Sequence, residues 1–97
     1  MTQRTPRATV IELLGGDPSI LEALEEAGLV PKEHLTPAEV EDVLVARTLI
    51  QELEVNLPGV EVILRLRTEL LETRTQMTRL AAMLSEVKGS MAEPDEG

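Results

Sequence analysis

The feature that most constrains this chain is a repeat of apolar residues near its C-terminal end. From Ile63 to Val87, eight positions alternate at spacings of three and four residues, and seven of the eight are apolar. This spacing is the heptad pattern with which one face of a helix packs against another helix. The eight positions are Ile63, Leu66, Leu70, Thr73, Met77, Leu80, Leu84 and Val87.

The same stretch carries signals for the two ends of a helix. Asn56 is a good N-cap residue, and Pro58 falls in the first turn, where its missing N–H does no harm. Gly89 and Ser90 predict the end of the helix. We therefore expect one coiled-coil helix over 56–88, about 50 Å long at roughly 1.5 Å per residue.

A helix of this length exceeds the core that the other residues can form, so its apolar positions need cover. We predict a homodimer; the alternatives are a contact with another protein and a monomer whose helix folds back on its own domain. Leu64 and Leu71 lie beside the repeat and would face the N-terminal helices. Glu69 and Arg74 suit a parallel pair better than an antiparallel one, but the orientation stays open. The predicted dimer contacts are Ile63, Leu66, Leu70, Met77, Leu80, Leu84 and Val87.

The composition narrows the chemistry that we expect. The chain has no Cys and one His, His34, so thiolate metal sites and cysteine nucleophiles are excluded. We predict no catalytic residue, no metal site, no cofactor and no enzymatic activity. No apolar run approaches the length of about 18 residues that indicates a membrane span, and the first residues lack a signal-peptide core. We therefore expect a cytoplasmic protein.

The negative charge of the chain is concentrated in one segment. The net charge is −9, and 9–56 contains eleven acidic residues against only Lys32 and Arg47. Such a segment repels phosphate backbones and attracts basic partners. Three of its carboxylates, Glu22, Glu25 and Glu26, lie close together with no basic residue nearby in sequence. We predict that these three bind a partner; the plainer alternative is a solvated helix face.

The rest of the chain predicts three further helices between two loose ends. We expect a flexible arm over 1–8 and a disordered acidic tail over 89–97. Thr9 and Glu12 fit a capping box that opens the first helix, which ends at Gly15-Gly16. Asp17-Pro18 opens the second, which ends at Gly28. Thr36-Pro37-Ala38-Glu39 is a second capping box, and its helix runs to about Leu53.

The order of these segments resembles that of a known family. Val10–Val30 (VIELLGGDPSILEALEEAGLV) resembles the helix-turn-helix of MerR-type regulators, and Leu35–Leu53 (LTPAEVEDVLVARTLIQEL) is similar to their next helix. Val55–Leu70 (VNLPGVEVILRLRTEL) resembles the start of the long helix in HspR repressors and CbpM-like chaperone modulators. The resemblance implies an all-α fold: a MerR-like helix-turn-helix domain over 9–55 with a reduced wing, including a medium helix, then the long helix. MerR-type regulators pair that helix antiparallel.

Two departures from the family pattern bear on function. The position of the DNA-recognition helix, Pro18–Ala27, carries three glutamates and no basic residue, and the wing is shortened to Pro31–Leu35. DNA binding needs several phosphate contacts, mostly from basic groups, so it is not expected here. The resemblance to chaperone modulators instead implies binding to the J-domain of a DnaJ-type co-chaperone, with DnaK as a second candidate partner. The alternatives are a MerR/HspR-type transcriptional regulator and a coiled-coil oligomerisation adaptor.

Overall fold

The structure is a computed structural model that describes residues 3–92, and its architecture is mostly helical. The elements, in chain order, are β1 (Thr5–Pro6), α1 (Arg7–Leu13), α2 (Ser19–Glu26), β2 (His34–Leu35), α3 (Pro37–Gln51) and α4 (Leu57–Ala92). The predicted all-α class is therefore confirmed at the level of four helices that end in a long one. The described residues also contain a small two-stranded antiparallel sheet, which the sequence did not predict.

The chain divides into two compact units, the first ending at Leu64 and the second beginning at Arg65. The first unit holds a small aliphatic core in which no side chain is aromatic. Because α4 begins at Leu57, its first two turns belong to this unit and contribute Val60 and Leu64 to the core. The other buried side chains are Val10, Leu14, Leu21, Leu24, Val30, Leu35, Val43 and Ala46.

Glycines end the first two helices as predicted. Gly15 and Gly16 have φ of 78° and 90°, and Gly28 has φ of 75°, a left-handed conformation that costs glycine little. The Gly16 N–H donates to the Ile11 carbonyl at 2.9 Å, and the Leu29 N–H donates to the Leu24 carbonyl at 2.9 Å. These bonds satisfy carbonyl groups that a helix leaves unpaired at its end.

The N-terminal arm and the first capping box are corrected by the structure. Helix α1 begins at Arg7, its N-cap is Pro6, and no side chain caps it, so Thr9 lies inside the helix and does not open it. Thr5 pairs with Leu35 and Pro6 with His34, so 5–8, which we expected in a flexible arm, lie in β1 and at the start of α1. Residues 1–2 of that arm lie outside the described residues. The pairing joins segments far apart in sequence, which no local pattern reveals.

The starts of the other helices follow local chemistry. The Thr36 hydroxyl accepts the Glu39 N–H, and the Glu39 carboxylate accepts the Thr36 N–H, which confirms the second capping box. The Asn56 side chain accepts the Gly59 N–H at 2.9 Å, as predicted for an N-cap. Helix α2 begins at Ser19 rather than Pro18, while the Asp17 carboxylate accepts the Ser19 N–H at 3.0 Å.

The end of α4 differs from the prediction. The helix continues through Gly89 to Ala92, so its expected end near Lys88 is wrong, and 89–92 of the expected tail are helical. One glycine inside a helix costs only about 1 kcal/mol relative to alanine, and an established helix can accommodate it. The remainder of the predicted tail, 93–97, lies outside the described residues.

Candidate interaction surfaces

The second unit presents an apolar stripe along one helix. Every residue from Thr68 to Gly89 is exposed, so none of the residues that the structure describes covers this part of α4. We call the heptad positions from Leu66 to Val87 the α4 seam; its apolar side chains are between 53% and 64% exposed. Exposed aliphatic side chains at helical spacing on one face are typical of a surface that another helix covers. The seam consists of Leu66, Leu70, Thr73, Met77, Leu80, Leu84 and Val87.

Residues at the start of the predicted repeat have different surroundings. Ile63, the first predicted dimer contact, belongs to the first unit and is half-buried. Leu64 is only 5% exposed and belongs to the core, as expected for a residue facing the N-terminal helices. Leu71 is 45% exposed, so the expectation that it packs in the same way is wrong. The exposed part of the predicted repeat therefore starts at Leu66.

Polar groups flank the seam. Glu69 and Arg74 are both exposed, and they occupy the positions just before and just after seam residues Leu70 and Thr73. In a two-stranded coiled coil, these flanking positions face their counterparts on the other helix and influence partner choice and orientation. Thr73 is the one polar residue of the seam, and it is also exposed.

The acidic residues on α2 are not equivalent. Arg7 Nε donates to Glu25 Oε2 at 2.8 Å, and Arg7 Nη2 donates to Glu25 Oε1 at 3.2 Å. The Glu25 side chain is only 8% exposed, whereas that of Glu22 is 58% exposed, with a carboxylate oxygen 3.9 Å from Arg7 Nη2. The hydrogen bond to Glu25 raises the pKa of Arg7 above its usual value. Glu22 and Glu26 are thus the accessible members of the predicted partner-binding set.

Arg7 also overturns one premise of the sequence analysis. The three glutamates have no basic residue close in sequence, but α1 brings Arg7 to α2 from eighteen positions away. The bidentate pair occupies both Glu25 carboxylate oxygens with internal hydrogen bonds. Glu25 therefore holds α1 against α2, and it has little surface to offer a partner.

A small basic surface was missed by sequence reasoning. An open depression beside the two-stranded sheet is lined by Arg4, Pro31, Lys32, Glu33 and His34. Strand β1 directly follows Arg4, and His34 opens β2, so the strand pairing brings together residues that are distant in sequence. Arg4 lies in the expected arm over 1–8 and His34 in the shortened wing, and no local sequence pattern links the two residues.

Two searches of the described residues were negative. Within 3–92, no group of three or more metal-binding side chains lies close enough to hold an ion. No helix of that same range is both long and apolar enough to cross a membrane.

Comparisons with protein-family models, with curated proteins and with solved structures find no match to this chain.

Proposed function

We propose that this protein is a non-enzymatic, cytoplasmic chaperone modulator that forms a homodimer through the α4 seam and binds the J-domain of a DnaJ-type co-chaperone. The observation that carries the proposal is the exposed apolar stripe from Leu66 to Val87. A surface of this kind serves association and offers no catalytic chemistry. The resemblance of Val10–Val30 and Val55–Leu70 to chaperone modulators supplies the partner class, with DnaK as a second candidate.

Magnitudes favour a dimer over a solvated monomeric helix. Fully covering a Leu, Met or Val side chain contributes about 1.5–3 kcal/mol, and a half-exposed one gains about half of that. Six such residues on each of two helices contribute on the order of 10 kcal/mol or more. Association costs an estimated 4–15 kcal/mol. The apolar burial along the seam is therefore large enough to support a dimer. Replacing two central leucines with polar residues would lower the free energy of burial below the cost of association.

The first unit supplies the charge for a basic partner. Glu22 and Glu26 are exposed on α2, and the segment 9–56 carries most of the negative charge of the chain. The resemblance implies a J-domain partner whose basic helix normally contacts DnaK. Complementary charge would speed association and favour this partner over acidic ones. Glu25 contributes indirectly, because its pair with Arg7 holds the helix that carries the other two.

The direct test is a calorimetric titration against the isolated J-domain of the organism's own DnaJ-type protein, at low and at high salt. We expect saturable binding that weakens as salt rises. The variant Glu22→Lys/Glu26→Lys should weaken binding at least ten-fold. Its matched control, Glu72→Lys/Glu86→Lys, makes the same change in net charge on α4 and should keep most of the affinity. Absence of binding at either salt would reject the J-domain as partner.

One observation favours a second function, DNA binding by a MerR/HspR-type regulator. Arg4, Lys32 and His34 gather beside the sheet, at the place where the resemblance puts the wing. The acidic α2 opposes this function, because its glutamates would face a polyanion without basic neighbours. A mobility-shift assay with genomic fragments distinguishes the two. A dimer that binds neither DNA nor a J-domain would leave the third alternative, an oligomerisation adaptor.

A further inference from the structure

We infer that the second copy binds the α4 seam in parallel and in register, so that each seam residue faces the same residue of its partner. This inference rests on the proposed homodimer and adds its orientation, in which it departs from the antiparallel pairing of MerR-type regulators. The deciding features are the charged side chains beside the seam, because the apolar positions are compatible with either orientation. Two of these side chains, Glu69 and Arg74, are exposed on both sides of the Leu70–Thr73 part of the seam.

A parallel pair brings opposite charges together. In this geometry the residue before one seam position faces the residue five positions later on the other helix. Glu69 then faces the partner's Arg74, and the two-fold symmetry makes this contact twice. The next such pairs along the helix are Gln76 with the partner's Ala81 and Met83 with the partner's Lys88, so no like charges meet.

An antiparallel pair does the opposite. There, residues that follow the second apolar position of each heptad face one another, and three of the four residues of this kind are basic: Arg67, Arg74 and Lys88. The register that matches all eight heptad positions from Ile63 to Val87 puts Arg74 against the partner's Arg74. A shift of one heptad in the C-terminal direction puts Arg67 against the partner's Lys88. In these registers Glu69 has no basic residue opposite it, so the antiparallel arrangement has repulsion without compensating attraction.

The parallel register has a consequence at the middle of the seam. Thr73 faces the partner's Thr73, between layers formed by Leu70 and Met77. A polar layer lowers the stability of a coiled coil and helps to fix its register. An antiparallel pair matched over all eight positions would instead set Thr73 against the partner's Met77. The position of Thr73 therefore makes the dimer weaker than its length suggests and disfavours slippage.

Disulfide cross-linking tests the orientation, because the chain has no cysteine of its own. In the parallel dimer, Val87→Cys places two thiols opposite each other, and mild oxidation should convert most of the 97-residue chain into a covalent dimer. In the antiparallel register that pairs Val87 with Ile63, the same thiols are about 36 Å apart along the axis at roughly 1.5 Å per residue. The one-heptad shift leaves them about 25 Å apart on the same rise per residue.

Matched variants make the outcomes distinct. Ala82 is exposed on the side of α4 away from the seam. The variant Ala82→Cys should therefore form several-fold less covalent dimer than Val87→Cys. Equal mixtures of Val87→Cys with Ile63→Cys, or with Leu70→Cys, report the two antiparallel registers. Preferential cross-linking in either mixture, with none in Val87→Cys alone, would overturn the parallel orientation and keep the dimer. A monomeric mass for the reduced variants and the wild type in sedimentation would instead reject the homodimer, and the parallel orientation with it.

Discussion

Arg7 and Glu25 join the first two helices through two hydrogen bonds, with Nε to Oε2 at 2.8 Å and Nη2 to Oε1 at 3.2 Å. The carboxylate lies under the surface while the guanidinium remains partly exposed. This geometry matches the fork of the arginine to both carboxylate oxygens, which strengthens the pair beyond a simple contact of charges. The pair fixes the orientation of α2 and therefore the placement of Glu22 and Glu26.

Replacing the carboxylate of Glu25, whose side chain is only 8% exposed, should lower the thermal stability of the first unit. Glu25→Gln removes the charge and leaves Arg7 without its bidentate acceptor, so we expect the melting temperature to fall by several degrees. Glu26→Gln alters an exposed neighbour and should change it little. Thermal unfolding followed by circular dichroism compares the two. Equal melting temperatures would show that the Arg7 contact does not stabilise the fold.

Glu54 holds a strained conformation that glycine would relieve. Its φ is 55°, in the left-handed region where a side chain costs about 1–2 kcal/mol relative to glycine. Glu54→Gly should therefore raise the free energy of unfolding by roughly 0.5–1 kcal/mol, after allowing for the extra freedom of the unfolded chain. Glu52→Gly, at a position with φ of −100°, should lower it. Chemical denaturation measures both, and stabilisation by Glu52→Gly alone would contradict the assignment of strain.

The stability that Asp17 contributes at the start of α2 depends on pH. Ser19 donates both its hydroxyl, at 2.6 Å, and its N–H, at 3.0 Å, to Asp17 Oδ1, and these bonds lower the pKa of Asp17 below its ordinary value of 3.8. A lowered pKa means that the ionised form stabilises the fold above the unfolded-state pKa. That contribution is lost as pH falls through the lower folded-state value. NMR titration should find the pKa of Asp17 closer to 3.8 in Ser19→Ala than in the wild type; no difference would remove the hydroxyl as a cause.

Thr73 offers a way to strengthen the proposed dimer. Thr73→Leu replaces the polar layer of the seam with an apolar one, so we expect the dissociation constant to fall about ten-fold or more, since each buried leucine contributes about 1.5–3 kcal/mol. Thr75→Leu adds the same side chain on the far side of α4 and should leave the dissociation constant nearly unchanged. Sedimentation over a range of concentrations measures both. Tighter association by Thr75→Leu alone would place the interface elsewhere.

Local chemistry made several of the helix ends predictable. The Thr36–Glu39 capping box, the Asn56 cap and the glycines after α1 and α2 each involve residues within a few positions of one another. The contacts that were missed are long-range. Arg7 reaches Glu25 across eighteen positions, and β1 pairs with β2 across about thirty. The end of α4 was missed because the preference of Gly89 against a helix is weak.

The candidate surfaces follow the same division. Heptad spacing predicted the seam from Leu66 to Val87, because the periodicity of an exposed helix is set by sequence alone. The availability of Glu25 depended on Arg7, and the basic surface near Lys32 depended on strand pairing; neither has a local signature. Membership of a chaperone-modulator family stays a proposal that the J-domain titration tests.

The α4 seam as a homodimer interface is tested most directly by the mass of the 97-residue chain in solution, measured by sedimentation equilibrium beside the variant Leu70→Asp/Leu80→Asp. We expect a wild-type mass of twice 10.6 kDa and a variant mass of 10.6 kDa. The helical circular-dichroism signal of the first unit should be retained in the variant. A wild type that stays at 10.6 kDa at high micromolar concentration, or a variant that remains dimeric, would contradict the α4 seam as the interface.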